Sequence, residues 1–168
     1  MKRLIMPLLL LLFLALFNEG FAQAKAKPAK AKATSMNDTH FIIGKAAYAK
    51  IVRELWQDFD DNNFDRHDYM ADSVVMMFPD GMVSKGKPQI MEEVKKFRGS
   101  LGTVKSIIFA CIPLTNTDEH EDAVAIWGHE DDTAADGKVE GKDLHEVWWF
   151  NKDGKVTRMR QWAAKFAE

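Results

Sequence analysis

VWWFNKDGKVTRMRQW, residues 147–162, is the stretch that decides the fold. An apolar, β-rich run stops at Asn151-Lys152-Asp153-Gly154 and a second one starts at Lys155. Two such runs around a short Asn/Asp/Gly turn form a hairpin, because these residues tolerate the backbone angles of a tight reversal. Working outward, Val139 to Phe150 is the first arm and Lys155 to Ala163 the second. A turn at 134–138, with Asp136-Gly137 inside it, joins the first arm to an earlier run, Ala123 to Asp131. Thr103 to Pro113 precedes that, so the spacing predicts four strands in succession.

The N-terminal side of the domain has a different period. Tyr48, Ile51, Val52, Leu55, Trp56 and Phe59 recur at helical spacing, which predicts one long amphipathic helix with Asn37 or Asp38 as its N-cap and Gly44 as a break or loose first turn. After the punctuation of Asp61-Asn62-Asn63, Phe64 to Met70 reads as a short second helix. Val74 to Phe78 reads as a strand ended by Pro79-Asp80-Gly81. Gly86-Lys87-Pro88 opens a third helix, with proline in the first turn, the stripe Ile90, Met91, Val94 and Phe97, and Gly99 as its stop. The expected order is α-α-β-α-β-β-β-β, an α+β domain over residues 37–168.

Ahead of that domain, Lys2 and Arg3 precede an apolar run from Leu4 to Phe17, with small residues at Gly20, Ala22 and Ala24. This is the pattern of a secretory signal peptide over residues 1–22, and cleavage after Ala22 or Ala24 meets the small-x-small requirement. Asn18, Glu19 and Gly20 cut the run short of the roughly 20 apolar residues a membrane span requires. The expectation is a secreted or periplasmic protein with no membrane insertion once the leader is removed. Residues 23–36, QAKAKPAKAKATSM, lack large apolar side chains before Met36 and read as a flexible Lys/Ala linker.

Charge narrows the partners. From Asn37 onward there are 17 basic and 24 acidic residues, a net of −7. An acidic domain without a basic face is poorly suited to nucleic acid, whose binding depends on neutralising phosphates. The single cysteine, Cys111, rules out an intramolecular disulfide and sits in an apolar run, where a buried structural thiol is expected.

Phe78-Pro79-Asp80-Gly81 followed by Lys85-Gly86-Lys87, together with the closing Phe-x-x-Asp-Gly-Lys-Val element, resembles the SnoaL-like group of the nuclear transport factor 2-like superfamily from about Tyr48 to Ala164. The resemblance implies a cone: a curved mixed or antiparallel sheet wrapped around the long N-terminal helix, with a pocket between them. The superfamily includes ketosteroid isomerases, limonene epoxide hydrolases, scytalone dehydratases, polyketide cyclases and binding-only domains. Laid on the isomerases, Glu146 takes the place of the protonated acid that donates to the substrate oxyanion. Their base falls near Phe78 and their phenol donor near Leu55 or Trp56. Laid on the epoxide hydrolases, Trp127, His129 and Ala164 stand where an Arg-Asp-Asp set belongs. Neither catalytic set is present.

What remains is His129 and Glu146 as a candidate acid/base pair for an isomerase, cyclase or hydrolase without a cofactor, provided an apolar wall of Trp127 and Trp148 raises the acid. The bland alternative has Glu146 facing solvent or pairing with Arg158 or Arg160. Trp56, Phe78, Met82, Trp127, Trp148, Met159 and Gln161 are the expected lining for a small, mostly apolar organic ligand. Histidine and carboxylates at 129–132 invite a metal, but alternation along a strand puts His129 and Asp131 on one face and Glu130 and Asp132 on the other, so neither metal nor cofactor is expected. The convex face of such a cone needs a cover, which predicts a homodimer.

Overall fold

The computed structural model describes residues 40–165. The leader, the linker and the cap expected at Asn37 or Asp38 lie outside the described residues. In chain order the elements are β1 (Phe41–Ile43), α1 (Ala46–Asp60), β2 (Met70–Met77), β3 (Val83–Lys85), α2 (Lys87–Gly99), β4 (Val104–Asn116), β5 (Glu121–Thr133), β6 (Val139–Phe150) and β7 (Val156–Ala164). The seven strands form one mixed sheet in the order β1-β4-β5-β6-β7-β2-β3, in which β2 runs parallel to β7 and the other pairs are antiparallel.

The β6–β7 turn shows why the opening stretch is decisive. Asn151 N–H donates to the Lys155 carbonyl and Gly154 N–H to the Asn151 carbonyl, while Asn151 Oδ1 accepts from the N–H groups of Asp153 (3.0 Å) and Lys155 (2.9 Å). Gly154 has φ +77°, a conformation disfavoured for any side chain by the clash between Cβ and the carbonyl.

Against the inner face of this sheet α1 lays Tyr48, Val52 and Trp56. They pack with Val124, Ile126, Trp148, Phe150, Val156, Met159, Val74 and Met76, and Ile90 enters from α2. Tyr48 stacks on Phe150 with 4.3 Å between ring centroids. On β2, β5 and β6 the inward residues stand two positions apart, the pleat's own period, whereas Val156 and Met159 on β7 are three apart because the register with β6 shifts between Trp149 and Phe150. The C-terminus of α1 is closed from outside: Arg98, near the end of α2, donates to the carbonyls of Phe59 (2.8 Å), Asp60 (2.9 Å) and Gly102 (3.1 Å). The first two lie at the α1 terminus, where a helix leaves its last carbonyls without intrahelical partners, and the third lies just beyond α2.

Two local expectations differ from what is observed, and one strand was not expected. The first helix starts at Ala46, and Phe41–Ile43 instead pairs with Leu114–Asn116 at the sheet edge. The β-branched pair Ile42-Ile43 suits that edge, and Gly44 separates it from the helix. The short helix at 64–70 is absent. Asn62 takes φ +52°, and Asp58 and Asp61 bind the side chains of His67 and Arg66 instead. Those side-chain bonds, in a stretch of weak helix formers, replace the helical ladder. The strand β3 had no sequence expectation; it returns after Pro79-Asp80-Gly81 and pairs Val83–Lys85 with Val75–Met77.

Candidate functional site

Glu146 lies on the inner face of β6 and is 4% exposed. Its Oε2 accepts from the indole N–H of Trp56 at 2.7 Å and of Trp148 at 2.8 Å, and its Oε1 accepts from Gln161 Nε2 at 2.6 Å. Three elements supply these donors: α1 carries Trp56, β6 carries Trp148 two residues from Glu146, and β7 places Gln161 opposite Glu146 in register. Burial pushes the Glu146 carboxyl above the usual carboxylate range, against the opposing pull of the three N–H donors.

Further along the same inner face is a charged row. The Lys142 ammonium stands 2.8 Å from Glu130 Oε1 and 2.5 Å from Asp132 Oδ2. Glu130 is 6% exposed, and burial raises it to about 7, outweighing the nearby ammonium. Burial would lower Lys142, but its hydrogen bonds to Asp132 and Glu130 more than offset this and hold it above its ordinary value. The other oxygen of Asp132, Oδ1, is buried without a hydrogen-bond partner. Beside the row, Asp60 at the end of α1 accepts from the Ser106 N–H and hydroxyl.

The outer face is different in character. Trp127, His145 and Trp162 form an aromatic cluster, with His145 stacked on Trp162 and edge-on to Trp127 at 5.3 Å each. Together with Phe109 they border an open depression of about 370 Å³. Arg158 and Arg160 lie over Trp149 and Trp162.

The expected acid/base pair is therefore not formed. Strands β5 and β6 pair Ile126 with Glu146 and His129 with Asp143, so Glu146 points inward and His129 outward through the same sheet. His129 is held by Asp143 (2.7 Å) and Asp131 (3.2 Å), and its hydrogen bond to Asp143 raises its pKa. Trp127 leaves the expected lining for the same reason of parity. Glu146 neither faces solvent nor pairs with an arginine. Trp56, Trp148, Met159 and Gln161 do come together around it. Phe78 packs at the margin of the core, and Met82, 47% exposed, sits on the turn into β3.

Sequence reasoning passed over Glu130, Lys142 and Asp132 as a functional group, although the alternation that argued against a metal already placed Glu130 and Asp132 on one face. It also passed over Asp58 with His67, nine residues apart and joined only by the loop between them.

No protein-family model matches the sequence, and no curated protein matches it. Solved structures do match. An NTF2-like protein from Burkholderia pseudomallei superposes with a TM-score of 0.56 at 16% identity, over 68% of this chain and 88% of that one. A putative SnoaL-like polyketide cyclase from Jannaschia sp. CCS1 gives 0.57 at 13% identity, over 71% and 86%. An epoxide hydrolase/cyclase-like enzyme of pyran ring formation in salinomycin gives 0.57 at 16% identity, over 71% and 92%. At these identities the likeness is one of fold. The chain has the nuclear transport factor 2-like fold, an α+β cone.

Proposed function

We propose that this is an exported small-molecule-binding domain which holds a mostly apolar organic ligand against the inner face of the cone, beside Trp56, Trp148, Met159 and Gln161. The observation that carries the reading is Glu146. A carboxylate buried at this depth costs several kcal/mol unless it is paired, and a core serving stability alone is better filled by apolar groups. Here two indoles and an amide are committed to orienting it. The same geometry favours binding over turnover, because three N–H donors occupy the oxygens a general acid would need free, and His129 stands on the other side of the sheet.

The test is a thermal-shift and fluorescence titration with 1-naphthol, an anthraquinone and a steroid ketone. A ligand on the inner face raises the melting temperature by mass action and perturbs the blue emission of buried Trp56 and Trp148. Met159→Trp, which puts a larger side chain on the inner face at the ligand's place, is expected to abolish both signals. If none of the three probes stabilises the protein, or if Met159→Trp binds as well as wild type, the reading falls. Export is tested separately by the mass of protein recovered from the periplasm, which is expected to begin at Gln23 or Lys25.

A second copy of the chain is the proposed cover for the outer face. The cluster of Trp127, His145 and Trp162 is flanked along the strands by Asp131 and Asp143 toward one end and by Arg158 and Arg160 toward the other. A twofold axis through the cluster would lay each acidic end on the partner's basic end, the self-complementarity an isologous dimer needs. Light scattering is expected to give a dimer mass that Trp162→Asp converts to monomer. A wild-type monomer at high concentration would end this proposal.

A further inference from the structure

On the flank of α1 turned about 200° from Trp56, two residues on at roughly 100° each, a second cleft opens. It measures about 230 Å³ and lies between α1, the 61–69 segment, the start of β2 and α2. Leu55, Phe64, Met70 and Met91 make its walls apolar.

Two polar groups border it that the cone interior does not use. Asp58 is 2% exposed, and its Oδ2 lies 2.8 Å from His67 Nδ1. Its Oδ1 is buried without a hydrogen bond, with Arg66 Nη1 3.4 Å away. A carboxylate can only accept, so Nδ1 carries a proton and Nε2 is the nitrogen left for another partner. Nε2 makes no hydrogen bond among the described residues and is not among the atoms sealed from solvent. The ring is also fixed on its face. It stacks on Tyr69 at 4.9 Å and 12°, and the Tyr69 hydroxyl donates to Glu54 Oε2 at 2.6 Å. That bond pushes the tyrosine up to about 12, so it stays a neutral donor. At the rim, Lys87 and Lys95 pair among the described residues only with Asp68 and Asp65, whose side chains are 67% and 81% exposed. Such exposed pairs are worth little and exchange readily.

An imidazole held at its edge by a buried carboxylate and at its face by an aromatic ring has lost its freedom to turn, which lowers the ordering cost of binding through its remaining nitrogen. We propose that this cleft binds a small single-ring aromatic acid, a phenol or aromatic carboxylic acid. Its ring lies among Phe64, Met70 and Met91, its acidic oxygen shares one proton with His67 Nε2, and the ammonium groups of Lys87 and Lys95 favour the anion. The site is separate from the inner-face reading and does not depend on it.

The probe is 4-nitrophenol, whose visible band reports its own ionisation. Near pH 6 the free probe is mostly neutral. Added wild-type protein is expected to produce a saturable rise in the phenolate band, with the His67 ring protons shifting in NMR over the same titration. His67→Phe, which keeps the stacking on Tyr69, should abolish the rise, and Asp58→Asn should weaken binding at least tenfold. Because either change could disturb the loop, Met91→Trp fills the cleft from α2 and leaves the Asp58–His67 pair in place; it should also abolish the signal. No saturable rise with folded wild-type protein overturns the proposal. So does a rise that persists in both His67→Phe and Met91→Trp, since the probe then binds elsewhere.

Discussion

Arg98 and Glu146 are both buried ionisable groups, and they serve the molecule differently. Arg98 joins α2 to the end of α1 through the carbonyls of Phe59 and Asp60 and also holds that of Gly102 beyond α2, and an arginine fork meets that geometry with little further ordering. Arg98→Ala is expected to cost about 3 kcal/mol, because hydrogen bonds to charged groups are strong and the helix carbonyls would be left buried. Urea unfolding would show this as a lower midpoint at constant slope. Glu146 accepts three N–H bonds, so what matters there is acceptor capacity more than charge. Glu146→Gln should stay within about 1 kcal/mol of wild type, since its amide oxygen can serve both indoles and Gln161 can turn its own oxygen toward the new NH₂. Glu146→Leu orphans all three donors and should cost more than about 3 kcal/mol. Equal losses in the two variants would show that charge, not hydrogen bonding, holds this site.

At the scale of elements, the β4–β5 pair shows how closely two backbones approach. Register shifts between Ile108 and Ala110, and opposite that bulge a Cβ on Gly128 would stand 2.2 Å from the Ile107 carbonyl oxygen. The obstacle is backbone, which cannot swing aside like a side chain. Gly128→Ala is therefore expected to destabilise by at least about 2 kcal/mol. A calorimetric melting temperature equal to wild type would contradict the described register. The hairpins were the legible elements. Val139–Phe150 coincides with its sequence reading, and the flanking strands differ only at their ends. The missing helix at 64–70 was illegible for a physical reason: the contest between helical hydrogen bonds and side-chain bonds from Asp58 and Asp61 is decided by where α1 ends.

For the whole molecule, the inner charged row links stability to pH. Glu130 has a folded pKa of about 7 against an ordinary 4.5, so the folded protein keeps a proton that the unfolded chain releases. Its contribution is complete below 4.5 and is lost as pH rises to 7, by about 3 kcal/mol. His129, also raised, acts in the same sense from 6.5 upward. Chemical denaturation between pH 4.5 and 8 should show stability falling, with Glu130→Gln removing the lower part of the fall. A profile that rises across that range would refute the assignment. Fluorescence should separate the tryptophans, since Trp56 and Trp148 are 6% exposed whereas Trp127 and Trp162 are 38% and 42% exposed.

The sequence by itself determined the fold class and the hairpins, because alternation, turn residues and helical spacing are local properties that each segment carries with it. It even held the evidence against the His129–Glu146 pair. Stepping back from the turn with Ala134 opposite Lys138 brings His129 opposite Asp143, and a one-residue difference in parity is a difference of face. Only the tertiary structure decided which donors surround Glu146, that Lys142 lies between Glu130 and Asp132, and that Asp58 reaches His67. Those contacts join separate elements, and their distances follow from how α1 lies across the sheet, which no local pattern encodes.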